Sequence, residues 1–322
     1  MPYAFDELRS CLPLAGGVIS NADPKVRYAC ALVAELAYYH VPQFEIDNRK
    51  RAMVVPCDGY WTIVKNVTPS SVTQFLQESD FANAFVVVER NVIAVGLPLG
   101  PFLFIAFRGT KFLFDWRINL TAPLMEATSS SFSPHPYRPY WRTIQAGRAH
   151  RGFAEESVRI SAKLVDAFRK NLRGDIEHVF LTGHSLGGAV AALSERFLRI
   201  ADTSVLTFGA PRYCDTAFYF NAPAAPPTQV QRAGDIVPLV PPRWFGYADH
   251  PYQFDTQGGQ FMQAPKRFPL SYFAWEAGLF LGRRFEPHNM EAYRHELGHT
   301  AKVSLADAPL VPFEKLKVKD LA

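Results

Sequence analysis

The chain has 322 residues, 48% of them hydrophobic and 20% charged, which is ordinary for a globular protein with one sizeable core. Its 34 basic and 30 acidic side chains leave a net charge of +4, and no basic cluster is interleaved with aromatic residues, so a nucleic-acid partner is not expected. The 26 Phe, 13 Tyr and 5 Trp make the chain aromatic-rich. They fit a core or an apolar substrate groove equally well.

The first residues, MPYAFDELRSCLPLAGG, place acids before a short apolar run and lack a basic n-region, so no Sec-type signal peptide is expected. The most apolar later stretch, residues 268–282, is shorter than a membrane span and contains Glu276, so no transmembrane helix is expected. A cytoplasmic location and export by a non-Sec route both remain open. The cysteines lack metal-ligand spacing and are expected to be free thiols: Cys11, Cys30, Cys57 and Cys214.

The first half of the chain predicts a helix followed by a sheet. The helix begins after Asp23, an N-cap candidate, with Pro24 at its first position, and its apolar periodicity ends before Pro42. Residues 122–149 have no sustained period and predict a long surface excursion. Between this helix and this excursion, segments rich in β-branched and aromatic residues predict successive strands: YWTIVKN, AFVVVER, NVIAVG and PFLFIAF.

The second half alternates helices with strands. An amphipathic helix, the strand EHVFLT, the turn GHSLGG, a second helix and the strands SVLTFG and TQVQRA follow one another. This order predicts an α/β fold with a mostly parallel sheet flanked by helices. Beyond Pro241 the chain is aromatic and irregular, with a hairpin expected around residues 257–259. We expect one domain over residues 1–322, with insertions around 122–149 and 243–285.

The pentapeptide GHSLG, Gly183 to Gly187, has the G-x-S-x-G pattern of a serine nucleophile on a tight strand-to-helix turn. The glycines are needed because a Cβ on either side would strike the adjacent strand or helix. At the start of a helix, the backbone N–H groups next to Ser185 can bind a developing oxyanion. The pattern therefore predicts a serine hydrolase.

A serine nucleophile needs a histidine base, and the histidine needs a carboxylate. Asp235 directly follows the strand TQVQRA, at the carboxyl end where such sites are assembled, and is the favoured acid. The competing acids are more easily explained as caps, turns or solvated groups: Asp202, Asp215, Asp249 and Asp255. The candidate bases, which the residue pattern alone does not rank, are His288, His295, His299 and His250.

A second pentapeptide, HELGH at residues 295–299, has the H-E-x-x-H pattern of a zinc metallopeptidase. A catalytic zinc needs a third protein ligand. The metzincin extension is absent, Glu314 is the only later glutamate, and 23 residues after His299 leave no room for a ligand helix. The zinc peptidase is kept as a remote alternative, and we expect HELGH to be surface residues of a helix end, with no metal and no cofactor in the protein.

Six motifs together carry a family resemblance: FRGT at 107–110, DW at 115–116, HRGF at 150–153, LTGHSLGGAVAAL at 181–193, TFGAPR at 207–212 and GDIVPLVPP at 234–242. In this order they resemble the class 3 lipases, the Rhizomucor-type lipases of the α/β-hydrolase fold, over roughly residues 25 to 300. The resemblance implies Ser185 as nucleophile and Asp235 as acid. Because the family closes with a histidine and a tyrosine five places later, it also implies His288, followed by Tyr293, as base.

The resemblance also implies an oxyanion hole at Thr110 and Leu186. His184 is the variable position of the tight turn that carries Ser185, called the nucleophile elbow, and is expected to pack behind this turn. The segment KFLFDWRINL corresponds to the lid of fungal lipases, and a mobile lid and a fixed structural segment both remain open. The candidate lid or substrate-groove residues are Phe112, Leu113, Phe114 and Trp116.

The resulting hypothesis is a serine hydrolase that cleaves carboxylic esters of lipids, a triacylglycerol lipase or esterase, through an acyl-enzyme intermediate. A phospholipase A1 and a catalytically silent lipid-binding relative are the alternatives. The expected partner is a lipid or ester substrate, together with transient contact with a membrane or lipid-droplet surface. Acyl chain length, head group and oligomeric state are not predicted.

Overall fold

The computed structural model describes eleven stretches of the chain: residues 10–12, 19–38, 53–56, 85–89, 92–109, 124–126, 147–171, 176–198, 202–220, 226–260 and 287–304. The predicted strand YWTIVKN, the candidate lid and most of both expected insertions lie outside these stretches.

The described strands form one large sheet and one small one. Eight strands pair in the order β1-β2-β3-β4-β7-β8-β9-β10, and β5 pairs with β6. Their bounds are β1 Met53–Pro56, β2 Phe85–Glu89, β3 Val92–Leu99, β4 Phe102–Phe107, β5 Leu124–Glu126, β6 Arg148–His150, β7 His178–His184, β8 Thr203–Phe208, β9 Thr228–Gln231 and β10 Tyr252–Asp255.

The parallel half of the large sheet brings distant residues to one edge. Strands β1 to β4 are antiparallel, whereas β4, β7, β8, β9 and β10 run parallel. Phe107 at the end of β4 is level with Gly183, and His184 at the end of β7 is level with Phe208. Residues that follow these strands therefore gather at the same edge of the sheet, where α/β proteins assemble their sites.

Helices cover both faces of the sheet. Helices α1 and α5 pack on one face, against Phe104, Phe180 and Phe208, and α2 and α3 pack on the other. Every residue of β4 is buried, as expected for a strand between two helical layers. The helices are α1 Pro24–Leu36, α2 Arg151–Asn171, α3 Leu186–Leu198, α4 Thr216–Phe220 and α5 Met290–Ala301.

The layer formed by α1 and α5 is closed by a buried ion pair. Arg294 Nε of α5 lies 2.5 Å from Glu35 Oε2 of α1, and both side chains are almost fully buried. Such a pair is costly to break, because removal of one partner leaves the other charge in a low-dielectric interior. The pair therefore fixes how the two helices sit against each other.

Most of the predicted elements are confirmed. Asp23 caps α1 by accepting from the Lys25 backbone N–H at 2.8 Å, and the predicted strands are observed as β2, β3, β4, β7, β8 and β9. The expected hairpin is a turn closed by a bridge between Phe254 and Gln260. Strands β1, β5, β6 and β10 were not predicted, and β5 and β6 lie at the two ends of the segment expected to be an irregular excursion.

The structure also describes three of the four cysteines and the helices that could be compared with a membrane span. Cys11, Cys30 and Cys214 are free and buried, and Cys57 lies outside the described residues. Among the helices described, none combines the length and the apolar character that a bilayer crossing requires.

We predict that Arg294→Met lowers the free energy of unfolding by about 3 kcal/mol, because Glu35 is left buried without its cation. Urea unfolding followed by circular dichroism measures the change. The matched control is Arg151→Met, which removes a solvent-exposed partner of Glu155 and is expected to change stability by less than about 1 kcal/mol. Equal losses in the two variants would contradict the importance of the buried pair.

Candidate active site

Ser185 occupies a strained turn between β7 and α3. Its φ of 62° lies in the left-handed region, which is unusual for a residue other than glycine. Backbone hydrogen bonds fix the turn: Ser185 N–H donates to Phe208 O at 2.9 Å, and Ser185 O accepts from Gly188 N–H at 3.0 Å. A Cβ on Gly187 would lie 2.1 Å from Phe107 O, so the helix start approaches β4 as closely as the motif predicts.

Asp235 and His288 form a direct hydrogen bond. His288 Nδ1 lies 2.8 Å from Asp235 Oδ2, and the Asp235 side chain is fully buried. Because a carboxylate only accepts, the proton of this bond belongs to Nδ1, and Nε2 is then the basic nitrogen of the ring. The arrangement is that of the orienting acid and general base of a serine hydrolase.

Tyr293 and Val237 complete the surroundings of the Asp235 carboxylate. The Tyr293 hydroxyl donates to Oδ2 at 2.6 Å, and the Val237 backbone N–H donates to Oδ1 at 2.9 Å. Burial, and then the neighbouring Asp235, raise the pKa of Tyr293 well above its usual value, so the hydroxyl stays protonated. The sequence analysis used Tyr293 only as a spacing marker and missed this hydrogen bond.

Arg232 holds the segment that carries His288. Its Nε donates to Glu296 Oε1 at 2.7 Å, and its Nη1 donates to the Pro287 carbonyl at 2.7 Å. The Arg232 backbone N–H donates to the Tyr293 hydroxyl at 3.0 Å. One residue at the end of β9 therefore fixes the residue before His288 and two residues of α5. The sequence gave no local signal for this role, since the contacts join segments more than 50 positions apart.

His184 connects the base to the serine turn. Its ring stacks on that of His288, with centroids 4.3 Å apart and an interplanar angle of 30°. Its Nδ1 lies 2.8 Å from the Tyr38 hydroxyl. Burial, and then the neighbouring His288, lower the pKa of His184 well below its usual value, so the ring is neutral. His184 was expected to pack behind the elbow, and it instead lies against the candidate base.

The competing histidines have other surroundings. His250 is buried edge-on to Tyr213, with centroids 4.9 Å apart, and burial lowers its pKa to about 3. His295 Nε2 lies 3.0 Å from an Arg294 nitrogen, and His299 is exposed in the last turn of α5. Asp235 therefore contacts His288 among the four candidates.

The competing acids have structural partners. Asp215 pairs with Arg148, and Asp249 pairs with Arg212 and Arg243. Asp255 caps the turn before Gly259 by accepting from the N–H groups of Gln257 and Gly259, and Asp202 adopts a left-handed turn conformation. The turn roles of Asp255 and Asp202 were expected, whereas the ion pairs of Asp215 and Asp249 were not.

HELGH forms the last turns of α5. Both oxygens of Glu296 accept hydrogen bonds, Oε1 from Arg232 and Oε2 from the Thr256 hydroxyl at 2.6 Å. Leu297 and Gly298 are buried, so the expectation of surface residues is wrong for these two positions. The Leu297 side chain packs in the core between α5 and α1. Within the stretches that the structure describes, no group of three His, Cys, Asp or Glu side chains could hold a metal ion.

The predicted oxyanion hole is described in part. Leu186 is the first residue of α3, and its backbone N–H belongs to the helix end that has no intrahelical acceptor. Thr110 lies outside the described residues, but Gly109 is described: a Cβ on Gly109 would lie 3.2 Å from Ser185 Cβ and 2.7 Å from His184 O. The chain leading to Thr110 therefore passes directly beside the serine.

The candidate lid and groove residues stay expectations. All four lie outside the described residues: Phe112, Leu113, Phe114 and Trp116. The Leu186 side chain packs against Val237 and Val240, which follow Asp235. This apolar contact joins the serine turn to the loop that carries the acid.

The fold and the site define the class of the protein. A mostly parallel sheet between two helical layers, a strained serine between strand and helix, and an Asp–His pair contributed by later segments are the features of an α/β hydrolase. Residues 104–245 match the model of the class 3 lipase family. The matched part contains Ser185 and Asp235, whereas His288 lies beyond it.

The relatives are lipases and a phospholipase. Lipase A of Sodiomyces alcalophilus is 32% identical over 203 residues, which cover 52% of this chain and 44% of the relative. The lipase of Rhizomucor miehei is 30% identical over 155 residues, covering 45% and 39%. Phospholipase A1 EG1 of Oryza sativa subsp. indica is 31% identical over 131 residues, covering 35% and 29%. The chain thus spans less than half the length of these relatives.

Solved lipase structures are also similar to this chain. Lipase II from Rhizopus niveus is 19% identical, with 74% of this chain and 82% of that chain covered and a TM-score of 0.48.

We predict that Tyr293→Phe lowers the free energy of unfolding by about 1 to 3 kcal/mol, because Asp235 loses a buried donor and the Arg232 N–H loses its acceptor. Urea unfolding measures the loss. The control is Tyr252→Phe, since Tyr252 is 47% exposed and should tolerate the change. A Tyr293→Phe variant as stable as the control would contradict the proposed support of Asp235.

We predict that His250 makes the protein less stable as the pH falls from 7 to 5. The folded-state pKa of about 3 is below the ordinary value of 6.5, so over this window only the unfolded chain takes up the proton. His250→Gln should remove about 2 kcal/mol of the pH-dependent loss. Unfolding free energies of both proteins at pH 5 and pH 7 provide the measurement. Parallel pH profiles would show that His250 is not neutral in the fold.

Proposed function

We propose that the protein is a serine hydrolase that cleaves carboxylic esters of lipids through an acyl-enzyme intermediate. The observation that carries the proposal is the 2.8 Å hydrogen bond between Asp235 and His288. The His288 ring stacks on His184, which directly precedes Ser185 in the strained turn. The match of residues 104–245 to the class 3 lipase family model supports the same chemistry.

In the proposed mechanism, Ser185 Oγ attacks the ester carbonyl carbon while His288 Nε2 takes the hydroxyl proton. Asp235 stabilises the imidazolium that forms. The backbone N–H groups of Leu186 and Thr110 bind the oxyanion, a contribution worth several kcal/mol in related chemistry. Collapse of the intermediate breaks the bond to the alkoxy oxygen, and His288 returns the proton to the departing alcohol.

The second half of the reaction uses water as the nucleophile. His288 takes a proton from water, the resulting hydroxide equivalent attacks the acyl carbon, and the intermediate releases the carboxylic acid. The proton returns from His288 to Ser185 Oγ, which restores the starting state. Each half needs the same base and oxyanion donors, so loss of either should slow both.

Lipid esters are the proposed substrates. The relatives are named lipases, and the side chains next to the serine turn are apolar: Leu186, Val237 and Val240. Trp244 is 45% exposed and Phe245 is 54% exposed, close in sequence to Val240. Exposed aromatic side chains near a site favour transient contact with a membrane or lipid-droplet surface. The relative named phospholipase A1 keeps a phospholipid substrate as the second candidate.

The test of the mechanism is covalent labelling with an organophosphonate. We expect mass spectrometry to find one adduct on Ser185, and Ser185→Ala to reduce kcat for p-nitrophenyl butyrate by a factor of at least about 10³. Ser194→Ala is the matched control, because Ser194 is a buried serine inside α3. An unlabelled wild type would support a catalytically silent relative, and activity lost in chelator without labelling would support a metallopeptidase.

The test of the substrate class is a series of p-nitrophenyl esters of rising chain length beside a triacylglycerol emulsion and phosphatidylcholine vesicles. Faster turnover of the emulsion supports a lipase, and faster turnover of the vesicles supports a phospholipase A1. Activity confined to short soluble esters would contradict a lipid substrate.

A further inference from the structure

Tyr38 forms a polar contact chain that ends at the candidate base. Its hydroxyl lies 2.8 Å from His184 Nδ1, and the His184 ring stacks on His288 at 4.3 Å. The same hydroxyl receives a backbone hydrogen bond from Gly109, at the end of β4. Tyr38 follows α1, so it precedes the part of the chain that matches the family.

The two groups of the Tyr38–His184 hydrogen bond are both neutral. Burial is the main influence on the Tyr38 hydroxyl and raises its pKa, so the hydroxyl stays protonated. Burial, and then the neighbouring His288, lower the pKa of His184, so its ring carries no charge. The 2.8 Å bond between the Tyr38 hydroxyl and Nδ1 therefore holds the ring at one nitrogen.

The stacked ring has a mechanical consequence for His288. A hydrogen bond to Asp235 alone would let the His288 ring turn about the line through Nδ1. A second ring at 4.3 Å, itself held by Tyr38, restricts that rotation. The neutral state of His184 is equally important, because a second positive charge would oppose the imidazolium that His288 becomes in the reaction.

We propose that Tyr38 is a positioning residue for catalysis: by holding His184 it fixes the plane of His288, and through Gly109 it holds the strand end that leads to the oxyanion hole. The proposal rests on the proposed ester hydrolysis. Tyr38 touches neither the substrate nor the reacting atoms, so it acts through His184. The proposal extends the site to the segment that follows α1.

The anchoring of α1 separates this role from a purely structural one. The Glu35–Arg294 ion pair and the buried face of the helix hold α1 on the sheet independently of Tyr38. Removal of the Tyr38 hydroxyl should therefore leave the helix in place while it releases the His184 ring.

The test compares Tyr38→Phe, His184→Phe and the double variant with Tyr28→Phe. Tyr28 lies on α1, the helix that precedes Tyr38, and its buried hydroxyl bonds Arg294, so the control removes a hydroxyl of the same kind away from the site. The readouts are kcat and KM for p-nitrophenyl butyrate, the rate of Ser185 phosphonylation, the free energy of unfolding, and the downfield proton resonance of the His288–Asp235 hydrogen bond.

We expect Tyr38→Phe to lower kcat and the phosphonylation rate about tenfold, with KM changed less than about twofold and the resonance shifted or broadened. Tyr28→Phe should lose stability with kcat and the resonance unchanged. In the double variant, the Tyr38 hydroxyl and the His184 ring nitrogen are both replaced, so neither is left buried without the other. Its stability should therefore return toward that of wild type while kcat stays low.

Two outcomes would overturn the positioning role. Either kcat of Tyr38→Phe equals that of Tyr28→Phe, or kcat recovers together with stability in the double variant. A wild type that is not phosphonylated would remove the proposed hydrolysis itself. The downfield proton resonance of the His288–Asp235 hydrogen bond does not depend on activity. If Tyr38→Phe leaves this resonance unchanged, the positioning of His288 is refuted even in a protein that hydrolyses no ester.

Discussion

The buried carboxylate of Asp235 is the constraint on which the rest of the site depends. A carboxylate in an interior of low polarity needs donors to offset its lost hydration, and Asp235 has three: His288 Nδ1, the Tyr293 hydroxyl and the Val237 backbone N–H. His288 and Tyr293 belong to the segment that contains α5, and Val237 belongs to the loop that carries Asp235. Satisfaction of one buried group therefore fixes His288, α5 and this loop at once.

The strained serine turn depends on the same sheet. A left-handed Ser185 costs of order 1 to 3 kcal/mol and persists only where its surroundings hold it. Here the backbone of β8 accepts the Ser185 N–H, and the end of β4 leaves no space for a side chain at Gly187. The parallel register of β4, β7 and β8 supplies both restraints, so the position of Ser185 is a property of the whole sheet.

Local patterns predicted most of the framework. Capping and apolar periodicity located α1, alternating β-branched runs located β2 to β4 and β7 to β9, and the glycine pattern located Ser185. The acid followed from its place after β9, and its bond to His288 agrees with the base that the family resemblance implies. Thr110 and the candidate lid lie outside the described residues and stay predictions.

What sequence patterns missed is held by contacts between distant segments. Tyr38 and His184 are 146 positions apart, Arg232 and Glu296 are 64 apart, and Glu35 and Arg294 are 259 apart. No periodicity or motif encodes such pairs, because each residue alone is an ordinary tyrosine, arginine or glutamate. Strands β5 and β6, with three residues each, were too short to produce a recognisable pattern.

The two helices on one face of the sheet have a consequence for how this chain can be divided. Both α1 and α5 lie outside residues 104–245, yet they cover Phe104, Phe180 and Phe208 of the central strands. A polypeptide trimmed to the matched segment would expose this aromatic surface to water and, by the same cut, lose His288. We therefore expect such a fragment to self-associate through its uncovered sheet instead of folding as an autonomous unit.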